Sequence, residues 1–218
     1  MPSTRYQKIN AHHYRHIWVV GDIHGEYQLL QSRLHQLSFF PETDLLISTG
    51  DNIDRGPKSL NVLRLLNQPW FTSVKGNHEA MALEAFETGD GNMWLASGGD
   101  WFFDLNDSEQ QEAIDLLLKF HHLPHIIEII NDNIKYAIAH ADYPGSEYLF
   151  GKEIAESELL WPVDRVQKSL NGELQQINGA DYFIFGHMMF DNIQTFANQI
   201  YIDTGSPNSG RLSFYKIK

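Results

Sequence analysis

His16-Ile17-Trp18-Val19-Val20-Gly21-Asp22-Ile23-His24-Gly25 begins as an apolar, β-branched run and ends on two glycines that bracket a carboxylate and an imidazole. The run reads as a buried strand and the glycines as the turn that leaves it. The same grammar recurs. Asp44–Thr49 leads into Gly50-Asp51-Asn52-Ile53-Asp54-Arg55-Gly56, Phe71–Lys75 into Gly76-Asn77-His78-Glu79, Lys135–Ala139 into His140, and Tyr182–Phe185 into Gly186-His187. One Asp-x-His or Gly-Asp is common at turns and means little. Five strand ends in series, all carrying oxygen or nitrogen ligand types, suit a two-metal phosphoesterase.

Helical spacing fills the gaps between these strands. Leu29, Leu30, Leu34 and Leu37 follow the Gly25 turn, Leu60, Leu63, Leu65 and Leu66 follow Gly56-Pro57, and Met81, Leu83 and Phe86 follow the Gly76 turn. Alternating strand and helix predicts an α/β fold. The clearest helix covers 108–123, an insertion between motifs, with Ser108 as its expected cap, Gln111 in the capping-box position and Pro124 beyond its end. From Tyr182 onward strands predominate, with turns expected at Asn198-Gln199 and Asn208-Ser209-Gly210. A central β-sandwich flanked by helices fits this order. No repeat, low-complexity tract or linker divides residues 1–218, which suit one domain.

Composition narrows the chemistry. A formal net charge of -12 leaves no basic stripe for nucleic acid, so an anionic substrate has to be held locally. With no cysteine, a thiolate zinc site and a cysteine nucleophile are both excluded. Residues 1–15 are polar, with Arg5, Lys8 and His12-His13-Tyr14, and nothing reaches membrane-spanning length. The expectation is a cytoplasmic protein that binds neither membrane nor nucleic acid; its oligomeric state is not legible.

Ligands of open α/β sheets collect beyond the carboxyl ends of the strands, where all five segments sit. Asp51, directly after the central apolar run, is the expected bridge between two cations. Asp22 and His24, one residue apart on extended chain, point the same way and complete the first site. Asn77, His140 and His187 complete the second, a mixed donor set suited to manganese, iron or zinc. Two such ions roughly 3.5–4 Å apart would activate a bridging water and clamp a phosphoryl group. His78 is then the expected acid for the leaving group, Asp54 its orienting carboxylate and Arg55 the fork that holds phosphate oxygens. The remaining histidines, His12, His13, His16, His35, His121, His122 and His125, lack such spacing and are expected to be solvated or packed. Trp94, Trp101, Phe102 and Phe103 read as core, with the rim of a cleft as the alternative.

These motifs, together with His140-Ala141-Asp142-Tyr143-Pro144 and Tyr201-Ile202-Asp203-Thr204-Gly205, resemble those of the PPP-family metallophosphatases over nearly the whole chain. The likeness is greatest to the small bacterial and phage serine/threonine protein phosphatases of the lambda type. It implies a calcineurin-like metallophosphoesterase fold, a dinuclear centre usually active with manganese, and hydrolysis of phosphomonoesters by a metal-bridging hydroxide. Phosphorylated proteins or peptides are the implied partners, with phosphotyrosine also chemically accessible. The alternative is a symmetrical dinucleoside polyphosphate hydrolase acting on diadenosine tetraphosphate, because such enzymes share the motifs. A metal-retaining scaffold that only binds phosphorylated partners is a further reading, and the intact His78 and Asp54 argue against it.

Two positions depart from the family. Lys75 stands where relatives place an arginine, which keeps charge for substrate but loses the bidentate fork. Val163 stands where a second phosphate-binding arginine is expected, two residues after Trp161. Arg165 is the expected substitute, the alternatives being that Arg55 acts alone or that Trp161 marks a different register.

Overall fold

A computed structural model describes residues 4–218. Two sheets face each other across an apolar core. In chain order the strands are β1 (Tyr6–Asn10), β2 (Ile17–Val20), β3 (Leu45–Ser48), β4 (Phe71–Ser73), β5 (Ile126–Asn131), β6 (Ile134–Ile138), β7 (Tyr182–Phe185), β8 (Gln194–Phe196), β9 (Gln199–Tyr201) and β10 (Phe214–Lys216). The six-stranded sheet runs β1-β5-β6-β7-β9-β8 and the four-stranded sheet β10-β2-β3-β4. Val19, Ile47, Ile127, Ile129, Ile138, Ile184 and Ile200 meet between them, which is why these strands read as apolar runs.

The helices are α1 (Tyr27–Gln36), α2 (Ser59–Leu63), α3 (Asn77–Thr88), α4 (Asn92–Ala96), α5 (Asp107–Leu118), α6 (Ser157–Leu160), α7 (Asp164–Leu170) and α8 (Ser206–Ser209). Leu30 and Leu34 of α1 and Val62 of α2 cover the outer face of the four-stranded sheet with Val20 and Leu46. Leu159, Leu160 and Val166 of α6 and α7 cover the six-stranded sheet with Phe183 and Phe185. A third cluster, Ile53, Leu63, Met81, Trp94, Phe102, Leu117 and Phe120, packs the inserted helices on the motif loops.

Several local readings change. The helix expected over 108–123 ends at Leu118 and passes into a single 3-10 turn, Lys119–His121. Helix α5 starts one residue early because Asn106, not Ser108, caps it: Asn106 Oδ1 accepts from the backbone N–H of Ser108 and Glu109, both at 3.1 Å. Glu109 replies by accepting from Asn106 N at 3.2 Å, so the capping box belongs to that pair rather than to Gln111. The turn expected at Asn198-Gln199 lies one residue earlier, since Gln199 already pairs with Phe183 and Phe196. Phe103 is exposed rather than core.

Candidate active site

The carboxyl ends of β2, β3, β4, β6 and β7 open onto one edge of the sandwich, and the five sequence segments meet there. Backbone hydrogen bonds stitch the loops together: Ile23 and His24 donate to Asp51 O at 3.1 and 2.9 Å, and Gly186 donates to His140 O at 2.8 Å. The fully buried carboxylate of Glu79 accepts from the backbone N–H groups of Asp51, Asn52 and Gly76 at 3.0, 2.7 and 2.9 Å. Glu79 is a site-building residue that spacing could have marked: it stands three residues after the Gly76 turn at the start of α3, where an acidic side chain reaches back to free N–H groups.

Of the nine non-glycine residues with positive φ among the described residues, five are His24, Asp51, Asp54, Arg55 and His187. Left-handed backbone costs of order 1–3 kcal/mol per residue and concentrates where function fixes the geometry. Gly186 shows how tight the fit is. A Cβ there would lie 2.0 Å from Asp22 Oδ1 and 2.6 Å from Thr49 Oγ1. Gly186→Ala must therefore displace Asp22; the expected result is a loss of metal affinity of roughly 10–100-fold, the range for disturbed outer-shell support. Unchanged metal content and turnover in that variant would contradict this account.

Two groups of donor atoms share one carboxylate: His24, Asp51 and His78 form the first, and Asp51, His140 and His187 the second. Asp51 divides its oxygens between them. Its Oδ2 lies 3.8 Å from His24 Nε2 and 3.9 Å from His78 Nε2, and its Oδ1 lies 3.5 Å from His140 Nε2. Asp22 stands beside this cluster, its Oδ2 accepting from His187 N at 3.0 Å and its Oδ1 from Thr49 Oγ1 at 3.1 Å. Backbone carbonyls fix the imidazole tautomers. His24 Nδ1 donates to Ile53 O and His140 Nδ1 to Thr49 O, both at 2.8 Å, which leaves each Nε2 as a lone pair facing the cluster. His187 turns Nδ1 inward, 3.1 Å from Asn77 Oδ1.

The residues fit cations. Burial pushes the imidazole of His24 down to about 3 and that of His187 down to about 4, and it lowers His140 as well. All three are therefore neutral at pH 7, the form that ligates metal. Asn77 nevertheless turns its acceptor Oδ1 toward these rings, 2.7 Å from the His140 Nε2 lone pair and 3.1 Å from His187 Nδ1. The Asn77 oxygen and the His140 lone pair meet with no proton to share, and a cation between them removes the conflict. The carboxylates make the same demand. Burial, then the charges of Asp203 and Asp51, push Asp22 well above the usual range, and burial with Asp51 nearby carries Asp203 up to about 6. Burial opposes the charge on Asp51 too, yet the imidazoles of His140, His78 and His24, wherever they are protonated, and the backbone N–H of His78, 3.0 Å from Oδ1, outweigh it and lower that carboxyl.

His78 turns away from this cluster at one end. Its Nδ1 donates to Asp54 Oδ2 at 2.6 Å, and burial, which lowers the ring, is outweighed by Asp51 and Asp54, so the imidazole sits above its ordinary value. Arg55 spans the mouth: one Nη donates to His24 Nε2 and the other to His78 Nε2, each at 2.9 Å. Trp94 and Trp101, expected as core or rim, both direct their indole N–H at Asp54.

Lys75 and Arg165 are not brought into the cluster. Lys75, 6% exposed, donates to Glu156 Oε1 at 2.9 Å, and Glu156 Oε2 lies 2.8 Å from His125 Nε2. Arg165, 8% exposed, donates to Asp142 Oδ1 at 2.9 Å and to the carbonyls of Tyr143 and Gly145 at 2.9 and 2.7 Å. These pairings hold both side chains away from the cluster, so the substitute expected for an arginine at Val163 is instead a clamp on the loop after His140. Among the arginines of the sequence reading, Arg55 alone reaches the cluster.

Glu156 also makes stability depend on pH. Burial raises its carboxyl, but His125 and Lys75 outweigh burial and bring it from 4.5 down to about 2. A depressed carboxylate stabilises the fold fully above its unfolded value, and the contribution fades as pH falls from 4.5 toward 2. Glu156→Gln is expected to lower thermal stability near neutrality, with the gap to the parent closing across that acid window. A gap independent of pH in thermal melts would rule this out.

The sequence profile of the calcineurin-like phosphoesterases matches residues 15–190. The chain belongs to that family. It is 97% identical over 218 residues, all of both chains, to a protein of Escherichia coli (strain K12) named serine/threonine-protein phosphatase 2, and 61% identical over the same span to the protein of that name from Salmonella typhimurium. The solved structure of a candidate diadenosine tetraphosphatase aligns with 98% of this chain and 94% of its own at a TM-score of 0.73 and 22% identity, a likeness of fold alone. Among the described residues no helix is long and apolar enough to cross a membrane.

Proposed function

We propose that this phosphoesterase is a dinuclear serine/threonine protein phosphatase, with Asp22, His24 and Asp51 holding one divalent cation and Asp51, Asn77, His140 and His187 the other. The observation that carries this reading is the sharing of Asp51 between two donor groups, one oxygen toward each. Manganese is the expected metal; iron and zinc accept the same donors, and elemental analysis of the purified protein separates them. When bound, two such cations supply Lewis acidity toward the phosphoryl oxygens and a water acidic enough to attack at neutral pH.

The chain's own groups do the rest. Arg55 presents two parallel N–H donors, now on His24 and His78, that match two non-bridging phosphate oxygens. Once Arg55 turns from His78 to phosphate, Nε2 is free to carry a proton, which it delivers to the departing seryl or threonyl oxygen so that no alkoxide is left behind. Asp54, bonded to Nδ1, keeps the ring oriented and favours its charged form before transfer. With this division His78 serves as acid rather than ligand, and Asp22 takes the ligand position beside His24.

Full-length similarity to proteins named serine/threonine phosphatases favours phosphoproteins over dinucleotides as substrates. The test is phosphate release from a phosphoserine or phosphothreonine peptide by the manganese-loaded protein, beside diadenosine tetraphosphate under matched conditions. Faster turnover of the peptide is expected. Preferential cleavage of the dinucleotide would replace the substrate class while leaving the two-metal centre in place.

A further inference from the structure

Asp54 is fully buried, and its two oxygens take three side-chain donors. Trp101 Nε1 reaches Oδ1 at 2.8 Å, Trp94 Nε1 lies 2.9 Å from Oδ1 and 3.1 Å from Oδ2, and His78 Nδ1 holds Oδ2 at 2.6 Å. We propose that Trp94 and Trp101 are positioning residues for phosphoester hydrolysis, locking the Asp54 carboxylate so that His78 presents its acidic Nε2 to the leaving group. The proposal rests on the reading of His78 as the general acid.

An indole N–H can only donate, so neither tryptophan competes with Asp54 for the His78 proton. Two donors on and around Oδ1 leave Oδ2 as the face on which the imidazole docks, and they stabilise the carboxylate in its ionised form. Asp54 has no solvent-exposed surface, so bulk water does not do this instead. Removing one indole N–H leaves a buried acceptor underused and frees the carboxylate to rotate away from His78.

The segment that carries the indoles also touches the phosphate fork. Arg55 N donates to Gly98 O at 3.1 Å, and a Cβ at Gly98, whose φ is +103°, would lie 2.9 Å from Arg55 N and 3.0 Å from its Cγ. Residues 94–101 therefore set both Asp54 and Arg55, the two members of the second motif that face substrate chemistry. Trp94 is anchored from behind by edge-to-face contacts with Phe86 and Trp101 at 5.3 and 6.3 Å between ring centroids. The inserted helices thus act on the reaction through rigid indoles rather than through a group that touches phosphate.

The experiment compares two substrates that differ in their need for an acid. A phosphoserine peptide expels an alkoxide and 2,4-dinitrophenyl phosphate expels a stable phenolate. Trp94→Phe and Trp101→Phe keep an aromatic ring and lose the N–H. Each should lower kcat on the peptide by about tenfold while the aryl phosphate rate stays within about twofold, with KM and bound manganese unchanged. In a His78→Asn background the same changes should add no further selectivity. Trp101 is only half-buried, so Trp101→Phe carries the test if Trp94→Phe does not fold. Equal losses on both substrates, or none, while His78→Asn remains selective, would overturn the positioning role alone. Equal losses in His78→Asn itself would overturn the acid assignment, and the proposal with it.

Discussion

Asp51→Asn is expected to abolish binding of both cations and to reduce phosphate release by well over 100-fold. The amide can keep one acceptor oxygen but must present an NH2 group with its other arm. If the oxygen stays toward His140, a donor faces His24 and His78; if it turns, the donor faces His140. Neither orientation bridges. Outer-shell partners of metal ligands cost roughly 10–100-fold when removed, and a ligand common to two ions has to exceed that range. The variant also removes the carboxylate of the cluster whose ionised form the fold favours, leaving Asp22 and Asp203, whose charge burial already opposes. Elemental analysis after manganese loading checks it. Two equivalents of bound metal with turnover within tenfold of the parent would refute the bridging assignment, whatever the substrate proves to be.

Legibility followed where each residue's partner lies. Asp22, His24, Asp51, Asn77, His140 and His187 could be grouped from sequence because strand ends converge by topology and each ligand type stands beside a glycine or directly after an apolar run. The fates of Lys75 and Arg165 could not be read that way. Lys75 is claimed by Glu156, 81 residues away, and Arg165 by Asp142, 23 residues away, and nothing local marks either pairing. The indoles of Trp94 and Trp101 were hidden for another reason: hydropathy scores their rings and ignores a single N–H, although that N–H is what reaches Asp54. Strand β1 escaped notice because Gln7 and Lys8 are exposed on a sheet edge, where charge discourages further pairing. Strand β5, with its run Ile126-Ile127-Glu128-Ile129-Ile130, carried a plain apolar signal that the preceding helix and Pro124 overshadowed.

His78→Asn is expected to reduce turnover of phosphoserine peptides by about 10²–10⁴-fold, the usual worth of a general acid, and that of 2,4-dinitrophenyl phosphate far less. Asparagine can still donate a hydrogen bond to Asp54, so the carboxylate stays paired and the buried network is not simply broken. What it cannot do is carry a proton to the leaving oxygen. His78 Nε2 also lies 3.9 Å from Asp51 Oδ2, within the first donor group, so a metal-ligand role has to be separated from an acid role. The two roles predict different patterns. Loss of a ligand weakens manganese and slows both substrates together, because each depends on the same attacking water. Loss of an acid leaves manganese in place and produces a penalty that grows with the basicity of the leaving group. A steeper dependence of kcat on leaving-group pKa in the variant, at unchanged metal content, would assign His78 to proton delivery; parallel losses with reduced metal would make it a ligand and return the question of the acid to the other groups at the mouth of the cleft.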